Sequence, residues 1–196
     1  MKYFLLCLLS LLQVVAQGSD ISMLRSLNIN RNTSLDGSMQ FISNSEYAVG
    51  ILVPVSICAA AWATRKHTTL EKGVNISLAV ILNTASTYVV KRVIDRPRPS
   101  VTYPDIQAFE SERHYSFPSG HTSNAFCVAT SLSLNYRKWY VALPAFAWAA
   151  GVGYSRMHLG MHYPSDVLAG ALLGAGSAYA TYRVNKWMKK KYEKWF

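Results

Sequence analysis

The sequence predicts an all-α fold, a membrane-embedded helical bundle of about five transmembrane helices that follows an N-terminal signal peptide. Three observations predict it. Just over half of the 196 residues are apolar and only 15% are charged, a balance too apolar for disorder and suited to one domain. The apolar residues gather into five segments, each long enough for a helix that spans or nearly spans a bilayer at ~1.5 Å per residue. The loops between these segments alternate in charge, with Lys and Arg concentrated in every second one.

Residues 1–16 read as the signal peptide. Met1-Lys2 gives a short basic end, Phe4 to Ala16 is an apolar run, and Val14-Val15-Ala16 is a small-residue cleavage pattern before Gln17. A retained anchor helix is the competing reading, although the run is shorter than the ~20 residues a span needs. Residues 17–46 are rich in Ser and Asn. They are expected outside the cell membrane, as a linker or a short amphipathic helix on its surface. The five apolar segments run Tyr47–Thr64, Gly73–Val90, His121–Asn135, Trp139–Tyr154 and Pro164–Arg183, so that 47–183 forms the bundle. Asn75, Asn83, Thr84, Ser86 and Asn124 within them are expected to face partner helices. Gly170, Gly174 and Ala178, at four-residue spacing, make a small-residue face for close packing. A soluble α-bundle would use such a face in the same way. Cys7 leaves with a cleaved signal, and Cys58 and Cys127 lie in apolar segments as buried free thiols with no disulfide framework.

Net charge is +10, and its placement is informative. One set of loops holds eleven basic residues: Arg65, Lys66, Lys72, Arg137, Lys138, Arg183, Lys186, Lys189, Lys190, Lys191 and Lys194, against Glu71 and Glu193. The alternate set holds eight, accompanied by seven acids. The positive-inside rule places the first set in the cytoplasm, and a signal peptide independently places residue 17 outside. The expected location is a bacterial-type inner membrane. The tail 184–196 adds Trp187, Tyr192, Trp195 and Phe196 to its lysines, a combination suited to an anionic headgroup layer. A nucleic-acid partner would use the same charge, but no recognition motif accompanies it.

Three short blocks carry the chemistry. Lys91, six residues, then Arg98-Pro99 puts two cations at the end of the second apolar segment, where they are costly without an anion. Arg suits phosphate through its planar fork and Lys as a point charge. Arg96-Pro97 is a second match two residues early, and Arg96 is expected beside headgroups or acidic side chains. Pro118-Ser119-Gly120-His121 opens the third segment. A helix N-terminus offers free amides to an anion, Ser119 a hydroxyl, and Gly120 room for backbone approach. His121 is placed to protonate a leaving oxygen. Ser155-Arg156, five residues, His162, three residues, Asp166 completes the set. Arg156 adds a third cation, and Asp166 reaches the His162 imidazole across one helical turn.

Eleven ordered identities with fixed internal spacing resemble the type 2 phosphatidic acid phosphatase family, which includes lipid phosphatases, soluble acid phosphatases and vanadium haloperoxidases. The resemblance implies a hydrolase with His162 as the nucleophile that forms a phosphohistidine, Asp166 as its orienter and His121 as general acid. Lys91, Arg98, Ser119, Gly120 and Arg156 would bind phosphate. No metal or cofactor is implied, because the cations do what magnesium does elsewhere. The expected substrate is a lipid phosphate or diphosphate, with membrane lipids as the remaining partners and oligomeric state open. Three alternatives stay open: a soluble periplasmic acid phosphatase, a vanadate-dependent haloperoxidase, and a non-catalytic lipid-binding or transport protein. His67, His114 and His158 match no block, and His158 is expected on the surface.

Overall fold

The computed structural model describes residues 18–110 and 115–192, and the expected signal peptide 1–16 lies outside them. Every regular element among the described residues is helical. A first helix, α1, covers 18–28 of the described chain. A 3-10 turn, Thr33–Leu35, leads into α2 (Asp36–Thr64), α3 (His67–Ile94), the short α4 (Pro99–Thr102), α5 (Gly120–Tyr136), α6 (Trp139–His158) and α7 (Pro164–Tyr192). The five long helices fall on the five apolar segments. Short turns at 65–66, 137–138 and 159–163 reverse the chain, so the helices alternate in direction.

The molecule is apolar outside and polar inside. Ile51, Leu52 and Trp62 of α2, Ile81 and Val93 of α3, Leu143 of α6 and Leu172 of α7 are all more than 60% exposed. The buried positions meanwhile include Glu46, Asn75, Asn83, Thr87, Thr122, Ser123 and Ser131. Water would not tolerate so broad an apolar exterior, and lipid would. Thr33–Thr64 and His67–Thr102 are by themselves long and apolar enough to cross a membrane. Central α5 packs on α7, α6, α3 and α2. Facing neighbours on all sides, it can carry Thr122, Ser123 and Asn124 without meeting lipid.

The small-residue face does what its spacing predicts. A Cβ on Gly170 would lie 2.6 Å from the Ser119 carbonyl oxygen, and one on Gly174 would collide with the Ser123 carbonyl. The α7 and α5 backbones therefore touch, which brings the starts of both helices, and the motifs they carry, side by side. Gly160 in the turn before α7 has φ +68°, and a Cβ there would meet the Gln107 carbonyl at 2.7 Å. Both facts require glycine.

The boundaries correct the sequence reading in three places. Helix α2 begins at Asp36, eleven residues inside the segment expected to be a linker or a short amphipathic helix. The rest of that segment includes α1, which is folded onto the protein. Ile21 and Leu24, one turn apart on the helix, are buried with Ile106 and Tyr163. Arg25 Nε and Nη2 hold Asp105 at 2.7 and 3.1 Å, and this bonding keeps the Asp105 carboxyl below the usual carboxylate range. Helix α7 continues to Tyr192 rather than ending near Arg183. No Gly or Pro follows Gly176, and Lys, Met and Arg sustain a helix well.

Candidate active site

The site end of the bundle is built where helices stop. Helix α3 ends with Asp95 in the left-handed region at φ 49°. The prolines 97 and 99 then keep the chain extended up to α4. Arg98 caps α4, is only 5% exposed, and donates from Nη1 to the Met161 carbonyl at 2.8 Å. Lys91, in the last turn of α3, donates from Nζ to the Tyr115 carbonyl at 2.7 Å. This bond and Ser116 N–H to the Arg96 carbonyl at 2.8 Å pin the segment that leads into α5. Ser119 caps α5, and its amide donates to the Asp166 carbonyl at 3.0 Å.

A cavity of about 320 Å³ opens at this end. Lys91, Arg98, Gly120, His121 and His162 line it, together with Glu46, Tyr47, Thr84, Thr87, Tyr88, Arg92, Tyr115 and Asn124. Five of the eight residues singled out from sequence are thus on one wall. The other three stand behind it. Ser119 is fully buried, with its hydroxyl 2.9 Å from that of Thr122. Arg156 is buried and donates from Nη1 to the Ser43 hydroxyl at 2.9 Å. Asp166 is fully buried beneath His162. A Cβ on Gly120 would point at Lys91 and Thr87, 3.9 Å away, toward the cavity. The mouth is aromatic and exposed. Tyr47 and Tyr88 are each 60% exposed, and Tyr47 meets the His121 ring edge-on at 5.0 Å between centroids.

The surroundings of His162 fix its tautomer. Nε2 lies 3.4 Å from Arg98 Nη1, which can only donate. Nδ1 lies 3.4 Å from Asp166 Oδ2 and 3.4 Å from Ser116 Oγ. Ser116 Oγ is 2.5 Å from Asp166 Oδ2, so its one proton goes to the carboxylate and a lone pair faces the ring. Both Nδ1 neighbours are acceptors. The neutral ring accordingly carries its proton on Nδ1 and its lone pair on Nε2, which points toward the cavity cations. The remaining Asp166 bonds come from Tyr163 N–H to Oδ2 at 3.0 Å and Arg96 Nη1 to Oδ1 at 2.6 Å.

Sequence reasoning missed several of these residues. Ser116 has no role in the three blocks, and only its position just before Pro118-Ser119-Gly120-His121 could have drawn notice. Arg96 was expected beside headgroups or acids, and the structure gives it the acids: Asp20 at 2.7 Å and Asp166 at 2.6 Å. Glu46 closes the expected exported segment but is buried on the cavity wall. His158 is a correction. It is 3% exposed, not a surface residue, and its Nε2 lies 2.9 Å from Asp36 Oδ1. Asp36 is also gripped by Arg31 Nε and Nη2 at 2.9 and 3.0 Å. The 3-10 turn places Asp36 against His158 at the end of α6.

Known proteins resemble this chain in sequence and in fold. The chain is 28% identical over 169 residues to an undecaprenyl-diphosphatase of Sulfolobus acidocaldarius, covering 85% of this chain and 79% of that protein. It is 32% identical over 144 residues to undecaprenyl-diphosphatase BcrC of Bacillus subtilis, covering 71% and 69%. The fold superimposes on the crystal structure of a transmembrane PAP2-type phosphatidylglycerolphosphate phosphatase from Bacillus subtilis with a TM-score of 0.77, at 26% identity and over 94% of this chain and 93% of that one. Residues 72–190 match the PAP2 superfamily, and the chain belongs to it.

Proposed function

We propose that this protein is an integral membrane phosphatase that hydrolyses a lipid phosphate or diphosphate through a phosphohistidine on His162, at a site facing out of the cytoplasm. One observation carries the reading. The lone pair of His162 Nε2 is directed at a cavity that combines cations, a second histidine and an aromatic mouth on the apolar exterior. Phosphate and a lipid tail call for these two environments side by side. The relatives named for undecaprenyl diphosphate and phosphatidylglycerolphosphate support the same substrate class.

The steps follow from the placement. Lys91 and Arg98 hold the phosphoryl oxygens and spread their charge. Arg156, behind the wall, adds its field. Nε2 attacks phosphorus while the bond to the lipid oxygen breaks, and His121 gives that oxygen its proton. Asp166 and Ser116 stabilise the cation that develops on the ring. His121 then takes a proton from water, the resulting hydroxide attacks phosphorus, and the P–Nε2 bond breaks to release phosphate. The site end lies opposite the Lys-rich loops, which favours its facing outward.

The test is phosphate release by the solubilised protein from a panel of undecaprenyl diphosphate, phosphatidylglycerol phosphate, phosphatidic acid and a lipid A phosphate, each with chelator. Release that survives chelation is expected. No release from any member, or complete loss in chelator restored by magnesium, contradicts the reading.

A further inference from the structure

Asp166 is the most enclosed charge at the site end, and its bonding reaches well beyond the three motifs. Arg96 Nη1 donates to its Oδ1 at 2.6 Å. The same guanidinium lies 3.8 Å over the Tyr163 ring, which fixes its plane. Its far nitrogen, Nη2, donates to Asp20 Oδ2 at 2.7 Å. Asp20 belongs to α1 and is itself held by Ser165, from the amide at 2.8 Å and from the hydroxyl at 2.5 Å. Ser165 Oγ in turn accepts from Arg96 Nη1 at 2.7 Å. Asp20, Ser165 and Arg96 form a closed circuit in which each donor meets an acceptor, and Arg96 extends it to Asp166. It joins the N-terminal helix to the carboxylate under the nucleophile.

We propose that Arg96 and Asp20 are positioning residues for phosphoryl transfer, and that the helix 18–28 is therefore a working part of the site rather than a leader to it. This rests on the reading of His162 as nucleophile and Asp166 as its orienter. Two carboxylates and one guanidinium leave a single negative charge beneath His162. That charge is balanced when the ring becomes cationic on phosphorylation. Without Arg96, Asp20 and Asp166 face each other as like charges in a buried place, and their repulsion turns Asp166 away from the ring it orients.

The signs of the two perturbations are opposite. Among the described residues, the charged or titratable groups around Asp166 are Arg96, Asp20, His162, Tyr163 and, beyond the ring, Arg98 and Lys91. Removing the cation of Arg96 makes the surroundings of the ring more negative and favours its cationic form. Removing the anion of Asp20 does the opposite. The acid limb of the kcat profile reports the unprotonated nucleophile. It should move to higher pH in Arg96→Gln and to lower pH in Asp20→Asn, which is nearly isosteric. A part that only holds the fold together gives no such opposed pair.

The experiment is the pH dependence of kcat and KM for phosphate release by full-length wild type, Arg96→Gln, Asp20→Asn and His162→Ala, with thermal melts of each. Arg96→Gln should lose about 10- to 100-fold in kcat with KM nearly unchanged, and Asp20→Asn less. The opposed shifts of the acid limb support the proposal. Unshifted limbs, shifts of the same sign, or activity losses that track the melting temperature overturn it. Inactive His162→Ala with unshifted limbs defeats this proposal alone, whereas active His162→Ala defeats the underlying mechanism.

Discussion

The two ends of the bundle both carry charge, and they treat it differently. At the site end Asp166, Arg98, Arg156, Asp36 and Asp20 are all buried, none more than 7% exposed. They are bonded to partners from other elements, often more than 60 residues away in sequence. At the opposite end Lys189 meets Glu71, with both side chains nearly half exposed. Arg137 and Arg183 there bond the hydroxyls of half-buried Tyr182 and exposed Tyr179 at 2.8 Å. Burying a charge costs several kcal/mol unless its partners are fixed, so the site end requires exact positions. Exposed charge costs little and needs none.

That contrast can be broken most sharply at His162. His162→Ala should lower phosphate release by about 10³-fold or more while the protein keeps a cooperative thermal melt. The ring is buried, with its nitrogens 3.4 Å from Arg98, Ser116 and Asp166, so the melt separates lost chemistry from lost folding. Near-normal release removes the phosphohistidine route. Sidedness comes next. A cysteine in place of Pro104, an exposed residue of the site-end loop, should react with a membrane-impermeant thiol reagent in intact cells. One in place of Lys190 should react only after lysis. The reverse pattern places the site in the cytoplasm.

Packing should show an intermediate effect, and it links the two ends. Gly174→Leu drives a side chain into the α5 backbone and should destabilise by roughly 1–3 kcal/mol or more. Gly176→Ala, with nothing within 4 Å, should be neutral or raise stability by up to about 1 kcal/mol. Melts of the two variants check this, and equal losses would show that the α5–α7 contact does not depend on the glycine. The smallest effect belongs to the basic end. Lys189→Gln should change stability by no more than about 1 kcal/mol and leave kcat unchanged. A large loss of activity would mean that the exposed end takes part in catalysis.

Much of this arrangement is legible in the sequence, and the reason is local encoding. Apolar runs mark the five long helices because each run is one element. Lys91, Arg98, Gly120, His121 and His162 are legible because each motif sits at a helix end, and the α5–α7 glycine contact carries those ends together. The supporting residues are not legible. Asp20 meets Arg96 and Ser165 across 76 and 145 residues of chain, and nothing in the spacing of either partner signals the other. His158 reads as a loop residue until Asp36 is seen to lie against it. Glu46 reads as the end of a polar leader because α2 extends eleven residues past its apolar stretch, and the polar first turns of a helix look like any other Ser- and Asn-rich segment.

The most direct test of the account is to trap the intermediate. Wild-type protein is mixed with a lipid phosphate labelled in its phosphoryl group and quenched in alkali, where phosphohistidine survives and acyl phosphates do not. The peptide that carries the label is then identified. The account predicts label on His162, stable to alkali and lost in acid, and none in His162→Ala. Label on another residue, or turnover with no trapped label under conditions that slow water attack, would contradict it.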